Sequence, residues 1–162
     1  MILEVPTSLV LSQAVITRGS SKTAQFVAER AEQGRRQLQN SNAIGLRSVF
    51  NELCEVADEC TSPNWDGYDA APVSDETYRS AYRFLEALPV GTPAPSVGAE
   101  PDGHVTFEWH RGPRRTLSVS VDPEDELHFA ALIGHTKDYG TQPFFGEIPE
   151  RIFRLIQRVS AG

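Results

Sequence analysis

Two cysteines, Cys54 and Cys60, are all that 162 residues carry. That is too few for a disulfide framework. They fall in one predicted helix, six positions and about 240° of turn apart, so they cannot bridge each other. Two buried thiols in a reducing compartment is the reading that follows. No window reaches the ~20 consecutive apolar residues of a membrane span. The apolar N-terminus is interrupted by Glu4 and Pro6, with no basic residue ahead of it, so it does not read as a signal peptide and a cytoplasmic location is expected. A nucleophile elbow, a Gly-rich phosphate loop and a CxxC pair are also missing, which removes the commonest signatures of acyl transfer, nucleotide binding and thiol redox chemistry. No cofactor is expected. Positive charge is scarce, with 15 Lys and Arg against 22 Asp and Glu and a net charge of −7. This argues against a general phosphate-binding surface and hence against nucleic acid as a partner.

What is present suits one folded domain with an extension. Hydrophobic residues make up 40% and charged residues 23%, and the length can bury a core without covalent staples. The acidity is concentrated: residues 54–110 hold eleven Asp and Glu against two Lys and Arg. Such a patch suits a basic protein partner, or is simply a solvated surface.

Residues 1–40 form a separable block, with a possible strand at Leu9–Thr17, a joint at Arg18–Ser21 and a helix over 22–40. The thin apolar stripe of that helix (Phe26, Val27, Ala31, Leu38) marks it as peripheral, or as an element that docks or makes a homo-oligomer. Residues 41–162 read as a single α+β domain. Leu46, Val49, Phe50, Leu53, Ala57 and Cys60 recur at helical spacing. A loop, Asn64–Val73, follows. Ser74 is placed as an N-cap, with Asp75 and Glu76 in the first turn. Tyr78, Ala81, Tyr82, Leu85 and Leu88 form the next stripe, which Pro89 ends. After a possible short strand at Ser96–Glu100, three segments alternate. Val105, Phe107 and Trp109, then Leu117, Val119 and Val121, then Leu127, Phe129, Ala131 and Ile133 mark one apolar face. Residues 134–146 read as a loop. Pro149 opens a last helix with Ile152, Leu155, Ile156 and Val159 inside. The expected fold is a three- to four-stranded antiparallel β-meander with two to three helices on one face and the other face wet.

The polar face is the first candidate site. Pairing Glu108 with Thr116 and His104 with Ser120, through a three-residue turn at 111–113, then Ser120 with His128, sets His104, Ser120 and His128 in one row. At about 4.8 Å per strand the two histidines stand roughly 10 Å apart at Cα. Glu108 would then serve as general base and His104 or His128 as acid. A metal reading draws on His104, Glu108 and His110, a spacing without a strong metal signature, and no metal is expected. A dry face of Val105, Phe107 and Trp109 also requires a wet one, which histidines and a glutamate supply without any chemistry. Trp65, Asp66 and Tyr68 in the helix-to-helix loop are candidate binding residues. Alternatively Trp65 plugs the core and Asp66 caps a turn. Tyr139 and Phe144, among the glycines of the 134–146 segment, are candidates for a recognition loop, or Phe144 or Phe145 closes the core. Arg111, Arg114 and Arg115 at the meander tip are too few and follow too acidic a stretch for a nucleic-acid surface.

The combination Asn64-Trp65-Asp66-Gly67-Tyr68 with Ala71-Pro72, then Pro101-Asp102-Gly103 with Glu108-Trp109, then Gly140 and Phe144 ahead of a helix, resembles a set of short bacterial proteins. They share an NWDGY loop and a PDGxxxxEW strand and have no established activity. The resemblance covers residues 46 to 159. It implies a bacterial origin and transfers no catalytic residue. The expected function is a non-enzymatic protein-interaction module: an inhibitor, an immunity-like partner or an accessory subunit of a multi-gene system. A small hydrolase or metal-dependent enzyme built on His104, Glu108 and His128 is the alternative.

Overall fold

The computed structural model describes residues 44–161. The strand and helix expected within residues 1–40, the domain boundary near residue 40 and a homo-oligomer through that segment lie outside the described residues.

Among the described residues, three helices and a five-stranded antiparallel sheet make an α+β fold. Helix α1 spans Ile44–Glu59 and α2 spans Asp75–Ala87. Strands β1 (Ser96–Ala99), β2 (Val105–Gly112), β3 (Arg115–Val121), β4 (Glu126–Ile133) and β5 (Thr136–Pro143) follow in simple meander order, and α3 (Glu150–Ser160) closes the domain.

The alternation in β2, β3 and β4 works as its period demands. Val105, Phe107, Leu117, Val119, Val121 and Leu127 are fully buried on one face, and the three helices pack on that side. Helix α3 contributes Ile152, Leu155, Ile156 and Val159. Helix α2 starts where Ser74, in an extended conformation, accepts the Thr77 N–H through its hydroxyl, satisfying one of the orphan donors of the first turn. Besides its expected stripe it buries Phe84, whose ring stacks on Phe107 at 5.0 Å and meets Phe144 edge-on at 6.0 Å.

Helix α1 lies against β1, at one border of the sheet. There the Glu52 carboxylate accepts the Val97 N–H at 3.2 Å, so a side chain takes the place of a missing neighbouring strand.

Three expectations need correction. The 134–146 segment is no loop: Thr136–Pro143 is a fifth strand, joined to β4 by a two-residue turn at Gly134-His135 with Gly134 at φ +65°. Its side chains are polar because it is an edge strand with little to bury. The β2–β3 register also differs by two residues. A bulge at Arg111 and a tighter turn pair Glu108 with Ser118 and Thr106 with Ser120. The Ser120–His128 pairing is as expected. Finally, Cys54 is only half-buried, its sulfur 3.2 Å from the Tyr78 hydroxyl, whereas Cys60 is buried.

Candidate functional site

The polar face of the sheet has no described helix upon it. Its central rows run Thr106–Ser120–His128–Thr141 and Glu108–Ser118–Ala130–Tyr139. His104 lies just before β2, beyond the first row, where the turn at Pro101-Asp102-Gly103 feeds the chain into the strand.

That turn is locked by local bonds. The Gly103 N–H donates to Glu100 O and the His104 N–H to the Asp102 carboxylate. It also docks on the loop between α1 and α2. Ala71 N–H donates to Pro101 O at 2.8 Å, and the Trp65 indole N–H donates to Ala71 O at 2.9 Å. Asp66 accepts the N–H groups of Tyr68 and Ala70. The NWDGY loop and the PDG turn are therefore one structural unit that aims His104 at the sheet.

The two histidines meet, by a different route from the one the pairing rule suggested. Thr106, not His104, shares the row with Ser120 and His128. His104 nonetheless folds back over the sheet end, and its ring stacks on that of His128 with centroids 5.6 Å apart and planes within 5°. Each ring has its own carboxylate. His104 Nδ1 is 3.3 Å from Asp102 Oδ2, and His128 Nε2 is 3.0 Å from Asp122 Oδ2. The other His128 nitrogen, Nδ1, contacts the Thr141 hydroxyl at 2.9 Å.

Asp122 is nearly buried. Burial works against its ionisation, but the Glu126 N–H, the His128 imidazole and the Glu124 N–H outweigh it and hold the carboxyl below its ordinary range. The two backbone N–H groups bind Oδ1 at 2.8 and 2.9 Å, which leaves Oδ2 to His128. Glu100 is fixed similarly: one of its oxygens accepts the hydroxyls of Thr106 and of Ser120, which also contact each other at 2.8 Å. Sequence reasoning passed over Glu100, Asp102, Asp122 and Glu126, because none belongs to the alternating strand cores. The turn signals at Asp102-Gly103 and Asp122-Pro123 were the trace they left.

Glu108 does not join this group. Four residues along a strand is about 13 Å, and Glu108 instead lies 3.8 Å from His110. The set His104, Glu108 and His128 therefore has no common point at which an acid and a base meet. Beside Glu108 and under Tyr139 is a shallow depression of about 380 Å³, floored by Ser118, Ala130 and Leu132 and flanked by Lys137.

The remaining candidates divide by exposure. Tyr68 and Tyr139 are 89% and 76% exposed, Trp65 is half-buried by its indole bond, and Phe144 is 1% exposed within the core. Phe144 closes the core beneath the Arg83 guanidinium and presents no surface to a partner. Its neighbour Phe145 is 86% exposed. Arg114 contacts His135, and Arg115 donates to the carbonyls of Arg158 and Ala161 at the end of α3, so these arginines serve local structure.

No protein family, curated protein or solved structure matches the chain. Among the described residues no helix is long and apolar enough to cross a membrane.

Proposed function

We propose that this chain is a non-enzymatic protein-interaction module whose polar sheet face receives a basic protein surface. One observation carries the reading: the carboxylates of Glu108 and Glu126 lie on that face and those of Glu100 and Asp102 at its end, while its ordered rows contribute one lysine, Lys137, among the described residues. A face with an excess of one sign of charge selects an oppositely charged partner and speeds encounter. Tyr139 stands on the edge strand β5 beside the face, 76% exposed, and tyrosine is among the residue types favoured as interface anchors. The separation of Glu108 from the paired histidines weighs against the hydrolase alternative. By the same reading the module acts as an inhibitor, immunity-like partner or accessory subunit in a bacterial system, the bacterial setting resting on the sequence resemblance.

The experiment is co-purification from the native host at low and high salt. A stoichiometric basic partner is expected, retained at low salt and released as salt screens the face. Combining Glu108→Lys with Tyr139→Ala should abolish retention without changing the thermal midpoint. Absence of a stoichiometric partner, or retention undiminished by the double substitution, refutes the reading.

A further inference from the structure

We propose that Glu100, Asp102 and His104, and beside them Asp122, Glu126 and His128, form two three-donor sites that each bind one divalent transition-metal ion, for which zinc is the probe. The claim is tested without any partner, and it bears on the partner reading: with both ions bound, Glu108 alone of the carboxylates named there keeps its charge for a basic surface.

Within each set, one ligand atom from every residue lies within 4.8 Å of the other two. In each set the histidine–aspartate separation fits a shared ion. Bonds of about 2.0–2.1 Å in tetrahedral array place two ligand atoms roughly 3.3 Å apart. The His104–Asp102 and His128–Asp122 pairs stand at 3.3 and 3.0 Å. A proton satisfies the same spacing, so the third donor matters: the carboxylates of Glu100 and Glu126 bring each pair to the three ligands that an ion takes and a shared proton does not.

The supporting contacts are those that metal sites use. Ligating carboxylates and imidazoles are usually oriented by hydrogen bonds to their remaining atoms. Asp122 is held through Oδ1 by two backbone N–H groups, and His128 through Nδ1 by Thr141. One Glu100 oxygen is held by Ser120 and Thr106. In every case another donor atom remains for the ion.

Ring geometry and charge both favour two ions over one. An imidazole donates in its own plane, and the two planes are parallel with centroids 5.6 Å apart, so their lone pairs do not converge on one point. Four carboxylates in the two sets balance two dications, whereas a single ion would leave two negative charges uncompensated. Mixed nitrogen and oxygen donors suit zinc, manganese, cobalt or nickel, while calcium and magnesium prefer oxygen alone. The side chains of His104, Asp102 and His128 are 22%, 56% and 39% exposed. Ions can therefore enter the folded protein, and three protein ligands leave a position for water.

The test is calorimetric titration of the untagged, chelator-treated full chain with zinc chloride, alongside imidazole NMR spectra of the same sample. Two equivalents should bind, with the His104 and His128 resonances shifting and those of His110 and His135 unmoved. His104→Ala and His128→Ala should each remove one equivalent, and Asp122→Asn should weaken one site by about 10-fold or more. His110→Ala should leave both intact. No uptake at 100-fold excess zinc over about 1 µM protein, a single equivalent abolished by either histidine variant, or shifts confined to His110 and His135 would each overturn the proposal. The wild-type spectra decide the matter even if a variant fails to fold.

Discussion

Gly103→Ala tests how the two loops that aim His104 are held together. Gly103 has φ +86°, and a Cβ there would sit 2.7 Å from the Pro72 carbonyl oxygen. Left-handed backbone costs an alanine about 1–2 kcal/mol. The contact adds more, because relieving it moves Pro72 away by about half an ångström. Ala71, next to Pro72, donates to Pro101 O and accepts the Trp65 indole, and each weakened bond costs about 0.5–1.5 kcal/mol. The expected loss is therefore about 2–4 kcal/mol. Gly91 is a matched control: its φ is +87° and a Cβ there meets nothing within 4 Å. Gly91→Ala should cost about 1–2 kcal/mol from backbone strain alone. Urea denaturation of both variants, with the slope m unchanged, measures the difference directly. If Gly103→Ala is no less stable than Gly91→Ala to within about 0.5 kcal/mol, the loop-to-turn contact contributes nothing and the argument fails.

Phe84→Ala removes a fully buried ring from between Phe107 and Phe144 and should cost about 3–5 kcal/mol. A loss under about 1.5 kcal/mol in the same denaturation assay would mean that the site collapses or was never tightly packed. Burial first, and then its contact with the Cys54 thiol, raises the Tyr78 pKa above the ordinary phenol value. Because the folded value is the higher one, this contribution is complete below the unfolded pKa of about 10 and is lost as pH rises beyond it, by about 1.4 kcal/mol per pH unit. Thermal midpoints of Tyr78→Phe between pH 9 and 11 should fall less steeply than wild type, and coincident curves would contradict the assignment. Ser74→Ala deletes the side-chain cap of α2 and should cost about 1 kcal/mol. No change in stability would mean that water replaces the hydroxyl at no cost.

Much of this fold is local information. Alternation in 105–109, 117–121 and 127–131 identifies three strands and their dry face, because a pleated strand buried on one side must repeat every two residues. Ser74 before Asp75-Glu76 marks a helix start for equally local reasons. Strand β5 was illegible because an edge strand need not be apolar, and Thr136–Pro143 owes its strand character to pairing with β4. The role of Phe84 was obscured similarly, since it widens the buried stripe of α2 only once Phe107 and Phe144 close on it.

The polar face shows the division most clearly. By itself the sequence determines that His104 precedes, and His128 lies within, strands whose even-numbered side chains leave the core, a consequence of the two-residue period. Whether they meet depended on an event elsewhere. The bulge at Arg111 and the tighter turn together move the β2–β3 pairing by two residues, which takes His104 out of the row of Ser120, while the β3–β4 turn independently sets Asp122 beside His128. The turn that returns His104 to His128 rests in turn on a loop thirty residues upstream, through Ala71 and Pro101. No local pattern encodes either, because register and loop docking are selected by the packing of the whole sheet.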